Sequence, residues 1–223
     1  MVRTKLSDRS LPNYTRGEER FNMISHIAGG GLGVIALVLC VVKSALAGNV
    51  WGVVSSAIYG AALIVLYTMS SVYHGLRPPM AKKVLQVLDH CTSYFLIGGT
   101  YTPILLCAIR KVSSGWAWAL FGLVWGLAAM ASVFTAIDLK KYAILSMICY
   151  IGMGWCVVLA AKPTIQAVPL PGLIFLLAGG IAYTVGAILY GLGRKHRYVH
   201  SLFHLFVVAG SVLQFFCIYL YIL

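Results

Sequence analysis

Residues 198–223 read YVHSLFHLFVVAGSVLQFFCIYLYIL, an apolar run that contains no Asp, Glu, Lys or Arg. A transmembrane helix needs about 20 mainly apolar residues to cross a hydrocarbon core of about 30 Å. This run is long enough to do so, and a helix is the open-chain structure that satisfies backbone polar groups in lipid. The C-terminal run therefore predicts a membrane-spanning helix.

Six further apolar runs precede it, at 21–42, 50–73, 84–109, 116–137, 142–161 and 170–192. Of the 223 residues, 61% are hydrophobic and only 10% are charged, whereas a soluble domain usually carries about 25% charged residues. The sequence therefore predicts an all-α bundle of seven transmembrane helices. We expect a single domain over 21–223, preceded by a polar cytoplasmic N-terminal arm over 1–20.

The Lys and Arg residues lie between the apolar runs and predict the orientation of the bundle. If the N-terminus is inside, 13 of the 17 fall on the cytoplasmic side, namely Arg3, Lys5, Arg9, Arg16, Arg20, Arg77, Lys82, Lys83, Lys140, Lys141, Arg194, Lys195 and Arg197. The other four are Lys43, Arg110, Lys111 and Lys162. The positive-inside rule then places the N-terminus in the cytoplasm and the C-terminus outside the plasma membrane. The net charge of +12 is accordingly assigned to topology and to anionic lipid headgroups rather than to nucleic acid.

Small residues within the runs are interpreted as packing residues. Gly29-x-x-x-Gly33 and Gly122-x-x-x-Gly126 fit close helix packing in a membrane. All six cysteines fall inside apolar runs without a C-x-x-C pair. That pattern favours packing over a disulfide framework or a thiolate metal site.

Ionisable residues are few within the runs, and each is a candidate functional residue because charge in lipid is costly. They are His26, His74, Asp89, His90, His200 and His204. The predicted topology puts Ser70 and His74 at the cytoplasmic end of the second run. It puts Asp89 and the pair His200 and His204 near the cytoplasmic start of the third and seventh runs. Three helices distant in sequence thus bring polar side chains to one leaflet.

The spacing of these residues favours a metal site. His200 and His204 are separated by four residues, so both rings project from one helix face, and Ser70 and His74 repeat that spacing. Three neutral imidazoles can bind zinc and leave a fourth tetrahedral position open, as in catalytic zinc sites. Asp89 is a candidate fourth ligand, or the base that orients and deprotonates a water molecule there.

The remaining histidines receive other roles. His26 begins the first run at the same leaflet, and we expect it to support a metal ligand or to pack rather than to bind the metal. His90 follows Asp89 but points about 100° away around the helix, which favours a structural role. His196 lies in a basic loop and is expected to be solvated.

The motifs that contain these residues resemble those of a known family. They are Glu19-Arg-Phe-Asn22-Met-Ile-Ser-His26, Ser70-Ser-Val-Tyr-His74, Leu88-Asp89-His90, Gly99-Thr100-Tyr101-Thr102-Pro103 and His200-Ser-Leu-Phe-His204. From Glu19 onward the chain resembles bacterial hemolysin III proteins, the prokaryotic branch of the progestin and adipoQ receptor family. Those proteins belong to a wider group of seven-span membrane hydrolases that includes alkaline ceramidases.

The resemblance implies roles for individual residues. In the animal receptors the matching three histidines bind zinc, the aspartate holds a water molecule at the zinc, and the serine lies beside it. The same roles are implied here for His74, His200 and His204, for Asp89 and for Ser70. The short N-terminal arm and minimal outer loops depart from the receptors, so a protein ligand of the adiponectin type is not expected. Membrane lipids are the expected partners.

Three functions are compatible with this reading. The first is a zinc-dependent lipid amide or ester hydrolase, or a lipid-homeostasis factor that uses that chemistry, with Asp89 as general base and Ser70 stabilising the oxyanion. The second is a non-enzymatic sensor or receptor in which zinc braces the second, third and seventh helices. The third is a pore-forming hemolysin, which would need polar residues through the full membrane depth. The outer halves of the runs are almost wholly apolar, which disfavours the pore.

Overall fold

A computed structural model describes residues 4–193 and 196–223, so Arg3, Arg194 and Lys195 of the charge count lie outside the described residues. Seven helices are long and apolar enough to cross a membrane, as predicted. They are α1 (Arg16–Leu46), α2 (Val50–Gly75), α3 (Pro79–Val112), α4 (Ser114–Asp138), α5 (Ala143–Ala167), α6 (Leu170–Leu192) and α7 (Val199–Ile222). The all-α class and the number of helices are confirmed, while the cytoplasmic location of the N-terminus stays a prediction.

Two helices begin earlier than hydropathy predicts, because local capping sets their start. The Thr15 hydroxyl accepts a hydrogen bond from the Glu18 backbone N–H, and the Glu18 carboxylate accepts one from the Thr15 N–H. This capping box starts α1 at Arg16 rather than at residue 21. Helix α3 begins at Pro79, where proline is favoured because the first helical N–H needs no partner.

Helix α3 is the axis of the bundle. Its most apolar window is 83% buried, whereas the corresponding windows of the other six helices are 22–50% buried. The other helices expose apolar side chains outward, as expected of surfaces that meet lipid. All six cysteines are free thiols, in agreement with the packing role predicted for them.

Three helices are irregular towards the end of the bundle opposite the start of α1. A π-helical segment covers Ile104–Ile109 in α3, a 3-10 segment covers Cys156–Ala160 in α5, and a second π segment covers Ile218–Ile222 in α7. Backbone groups freed at membrane depth need partners within the protein. The Tyr101 hydroxyl meets this need in α5: it donates to the Gly154 carbonyl at 2.8 Å and accepts from the Val157 N–H at 3.2 Å.

The N-terminal residues lie against the end of the bundle at which α1 begins, which we call the N-terminal end. The Thr4 N–H donates to the Asp138 carboxylate at 3.0 Å, and the Arg9 guanidinium donates to the Ile137 carbonyl at 2.9 Å. The described part of the predicted polar arm that precedes α1, residues 4–15, therefore lies against this end of the bundle.

Glycines allow α1 and α2 to approach closely. A Cβ atom at Gly29 would lie 2.6 Å from the Tyr67 ring, and one at Gly60 would lie 2.5 Å from the Leu37 Cβ atom. The Gly29-x-x-x-Gly33 motif thus packs as predicted. The interpretation of Gly122-x-x-x-Gly126 as a packing motif is wrong, because within the described part of the chain nothing lies within 4 Å of a Cβ at either glycine.

This difference predicts opposite effects for two identical substitutions. We expect Gly60→Ala to lower the stability of the bundle by about 1–3 kcal/mol, the usual range for overpacking, because the new methyl group meets the α1 backbone. Gly122→Ala is the matched control, and it should change stability by less than about 1 kcal/mol, in the favourable direction, because alanine stabilises an exposed helix. Thermal unfolding in detergent measures both, and equal effects would contradict the packing described here.

Candidate metal centre

Helices α2 and α7 bring three histidines together at the N-terminal end of the bundle. His74, His200 and His204 are 3%, 8% and 1% exposed, and one ring nitrogen of each lies within 4.8 Å of the other two. The Nε2 atoms of His200 and His204 are 3.1 Å apart. The four-residue spacing predicted on α7 therefore does turn both rings towards one point, and His74 approaches that point from α2.

The donor set fits a zinc ion. Two facing imidazole nitrogens at this distance can share one proton or one cation, and tetrahedral zinc with Zn–N bonds of about 2.0–2.1 Å separates its ligand nitrogens by about 3.3 Å. The Nδ1 atom of His74 is engaged by a carboxylate. Its Nε2 atom is buried and has no hydrogen-bond partner among the described residues. A neutral imidazole in this state presents a lone pair for a metal.

Glu19 is the carboxylate that engages His74, and the sequence reasoning gave it no role. Its Oε2 atom lies 2.6 Å from the His74 Nδ1 atom, and its Oε1 atom lies 2.8 Å from the Lys82 Nζ atom. A carboxylate that accepts the second ring N–H of a metal-binding histidine fixes the tautomer and the ring orientation and makes the ligand more basic. Glu19 therefore positions His74.

Lys82 secures this carboxylate from α3. Its side chain, counted with topology charges in the sequence analysis, is largely buried, with the whole residue 8% exposed. Its ammonium group donates to the Tyr73 carbonyl at 3.0 Å and to the Leu76 carbonyl at 3.2 Å. These are carbonyls at the C-terminal end of α2, where a positive charge is favoured. Together with Glu19 they replace the water that a buried ammonium would lose.

Asp89 and Ser70 lie beside the histidines. The Ser70 hydroxyl faces the Asp89 carboxylate, which also interacts electrostatically with His74. The Asp89 side chain is 17% exposed, and it lines a cavity together with Ser70. The structure thus brings together all five residues named as ligands or catalytic groups, although their roles stay predictions.

The other histidines occupy distinct environments. His26 is 3% exposed, and its ring centroid lies 3.8 Å from that of His204 and 5.0 Å from that of Tyr67. It packs against His204, one of the candidate metal ligands. Both roles predicted for His26, to support a metal ligand or to pack, require such a contact. The two ring nitrogens of His90 lie 2.8 Å from the Gln86 carbonyl and 2.8 Å from the Tyr190 hydroxyl. His90 also lines the cavity, with its Nδ1 atom 3.8 Å from the Asp89 carboxylate, so its structural role stays a prediction. His196 is exposed.

Tyr14 covers the site from the N-terminal arm. Its ring stacks on His200 with centroids 4.7 Å apart and an angle of 16° between the planes. Burial raises the pKa of the Tyr14 phenol well above its ordinary value. The arm therefore helps to separate the histidines from the solvent.

A long cavity extends from this site towards the opposite end of the bundle. The volume not occupied by atoms, including the solvent-filled opening of the cavity, is about 1510 Å³. On α3 its lining runs from Gln86 to Ile104, and the part from Asp89 to Ile104 is roughly 22 Å long at 1.5 Å per residue. The histidine and aspartate residues of the lining all lie near the three-histidine cluster, and most of the remaining lining is apolar or aromatic. The site is therefore the polar head of an elongated apolar chamber.

One signal in the sequence could have identified Glu19. The chain has only five Asp and Glu residues against 17 Lys and Arg. Glu19, Asn22 and His26 are spaced by three and four residues, which places them on one face of α1. Tyr14 and Lys82 carry no such signal, because their contacts depend on how the arm and α3 pack.

We expect Glu19→Gln to lower the zinc affinity of the purified protein by about 10- to 100-fold, because an amide holds the His74 ring less firmly than a carboxylate does. His204→Ala should remove most of the zinc. The matched control is Glu18→Gln, since the Glu18 carboxylate bonds the Thr15 and Tyr198 N–H groups rather than an imidazole. Competition with a chromogenic chelator measures the affinities. An unchanged affinity in Glu19→Gln would contradict the positioning role.

Comparison with known proteins places the chain in a family. A family model described as "Haemolysin-III related" matches residues 14–215. The chain is 37% identical over 206 residues to Hemolysin-3 of Bacillus cereus, covering 92% of each chain. It is 36% identical over 208 residues to the Hemolysin-3 homolog of Bacillus subtilis (strain 168), covering 93% of this chain and 96% of the relative. It is 25% identical over 185 residues to the human monocyte to macrophage differentiation factor, covering 79% and 74%. The chain is therefore a multi-pass membrane protein of the hemolysin III family, in keeping with a plasma-membrane location.

Proposed function

We propose that the protein is a zinc-dependent hydrolase that cleaves an amide or ester bond in a membrane lipid and thereby acts in membrane-lipid homeostasis. The observation that carries the proposal is the position of the three-histidine cluster. It lies at the polar head of a long apolar cavity, next to a carboxylate and a hydroxyl group. A metal site that only braces helices needs neither that cavity nor a carboxylate facing it.

The ligands His74, His200 and His204 would hold the zinc ion. When bound there, zinc supplies Lewis acidity, which polarises a carbonyl and makes water easier to deprotonate. Asp89 accepts the proton of the attacking water as general base and returns it to the leaving nitrogen or oxygen. The Ser70 hydroxyl, beside Asp89, donates a hydrogen bond to the carbonyl oxygen as negative charge develops on it.

The cavity determines which substrates fit. An acyl chain extended along α3 from Asp89 to Ile104 would follow roughly 22 Å of mainly apolar wall. This length is about three quarters of a hydrocarbon core of about 30 Å. The headgroup of such a lipid would lie under Tyr14 at the N-terminal end of the bundle. A long-chain lipid with its scissile bond near the headgroup is therefore the substrate class proposed.

The other two functions receive less support. A braced sensor would use the same three ligands and give Asp89 no chemical task. A pore would need a water path through the whole bundle, but past Ile104 the described residues pack tightly, with Ile109, Val168 and Ile218 at most 2% exposed. The hydrolase is the function that uses every residue of the site.

We expect Asp89→Asn to keep the zinc and the fold, because the amide is nearly isosteric and the three histidines are unchanged. It should lower hydrolysis by about 10²- to 10⁴-fold, because an amide cannot accept the proton of water. Lipid analysis of a deletion strain complemented with wild type or variant measures the activity, and metal analysis of the purified proteins checks the site.

The matched control is Asp8→Asn, which neutralises an exposed carboxylate in the arm and should behave like wild type. A braced sensor predicts that Asp89→Asn also behaves like wild type. An Asp89→Asn protein that keeps its zinc and restores the lipid profile in full would end the hydrolase proposal.

A further inference from the structure

The far end of the cavity contains a polar side chain that the proposed chemistry does not use. Gln214 lies ten residues after His204 on α7, roughly 15 Å farther along the helix axis at 1.5 Å per residue. It lines the same cavity as Asp89 and His200, and it is 4% exposed. A buried amide at this depth needs hydrogen-bond partners, because lipid and apolar side chains offer none.

The amide group of Gln214 is held in one orientation. Its Nε2 atom donates to the Leu176 carbonyl at 3.1 Å, and a carbonyl can pair only with the NH₂ side of the amide. A Cβ atom at Gly179 would lie 2.6 Å from the same Nε2 atom, so the glycine leaves room for the amide against α6. The amide oxygen cannot exchange places with the nitrogen without losing this bond.

The oxygen of this amide is unpaired. Among the described residues, the Oε1 atom of Gln214 is buried without a hydrogen-bond partner. Three hydroxyl groups of residues that line the same cavity have other partners. Tyr101 bonds Gly154 and Val157, Thr184 donates to the Gly180 carbonyl and accepts from the Trp155 indole, and Tyr183 bonds Ser211. Gln214 therefore carries a buried acceptor without a partner among the described residues, on a side chain that lines the chamber.

The position of this acceptor limits what can reach it. The π segment that begins at Ile104 and the 3-10 segment that contains Val157 lie where the lining of the cavity ends. Irregular backbone is tolerated at membrane depth where it is buried or lines a cavity, and such segments often mark functional sites. A ligand with its polar head at the histidines would bring its far end to Gln214.

We propose that this end of the cavity is a second polar subsite, where the Gln214 side-chain carbonyl accepts a hydrogen bond from a hydroxyl or amide N–H on the far part of an extended apolar ligand. The inference rests on the proposed function for the placement of the ligand head. It narrows the substrate class from any long-chain lipid to one whose chain carries a hydrogen-bond donor at a fixed distance from the scissile bond.

Binding of paired fatty acids to the full-length, zinc-loaded protein in nanodiscs tests the subsite. The pairs are saturated acids from decanoate to hexadecanoate and their ω-hydroxy counterparts, measured by calorimetry. At one chain length the hydroxylated acid should bind wild type roughly tenfold more tightly than its plain partner, the ratio expected of one buried hydrogen bond. The preference should fall at shorter and longer chains, because Gln214 lies at a fixed depth.

Gln214→Met keeps the size of the side chain and removes the acceptor, so it should abolish the preference while the plain acids still bind. Gln166→Met makes the same change at an exposed position of α5 and should keep the preference. Equal binding of both acids by wild type, as expected if a water molecule satisfies the oxygen, would overturn the subsite alone. A preference that survives in Gln214→Met would do the same. If no acid of either series binds, the proposed function falls together with the subsite.

Discussion

The burial of three imidazole rings around one point is the constraint on which the site depends. A ring nitrogen taken out of water needs a donor, an acceptor or a cation in its place, since an unpaired buried polar group is costly. His200 and His204 partly satisfy each other at 3.1 Å, but the Nε2 atom of His74 has no partner among the described residues. A shared divalent cation would satisfy all three nitrogens at once.

A charged network supports this cluster from the helix ends. Glu19 in the first turn of α1 holds His74, and Lys82 in α3 holds Glu19 and the last carbonyls of α2. The three helices are therefore joined around His74. A carboxylate at Nδ1 favours the tautomer whose Nε2 lone pair is free for a metal, and it fixes the orientation of the ring.

The sequence allowed the fold to be predicted well, because hydropathy and length depend on each segment alone. The convergence of His74, Asp89 and the α7 pair was also predictable, since alternating helix directions place them at one end of the bundle. The contacts of Glu19, Lys82 and Tyr14 were not, because they depend on helix tilt and on how the arm folds back. The cavity was equally hidden. Pro103 is a local breaker directly before the π segment of α3, but a break in one helix does not show how the neighbouring helices pack around it.

The same limit explains the glycine motifs. Both have the same spacing, yet Gly29 packs against Tyr67 whereas Gly122 faces open space. Spacing places two glycines on one face of a helix, but it does not say which face meets a neighbour.

X-ray absorption at the zinc edge of the purified protein tests the central claim most directly. The account predicts about one zinc ion per chain, bound by three imidazole nitrogens at about 2.0–2.1 Å with no sulfur ligand. A protein that was produced with zinc available and contains none, or that binds zinc through cysteine sulfur, would contradict it.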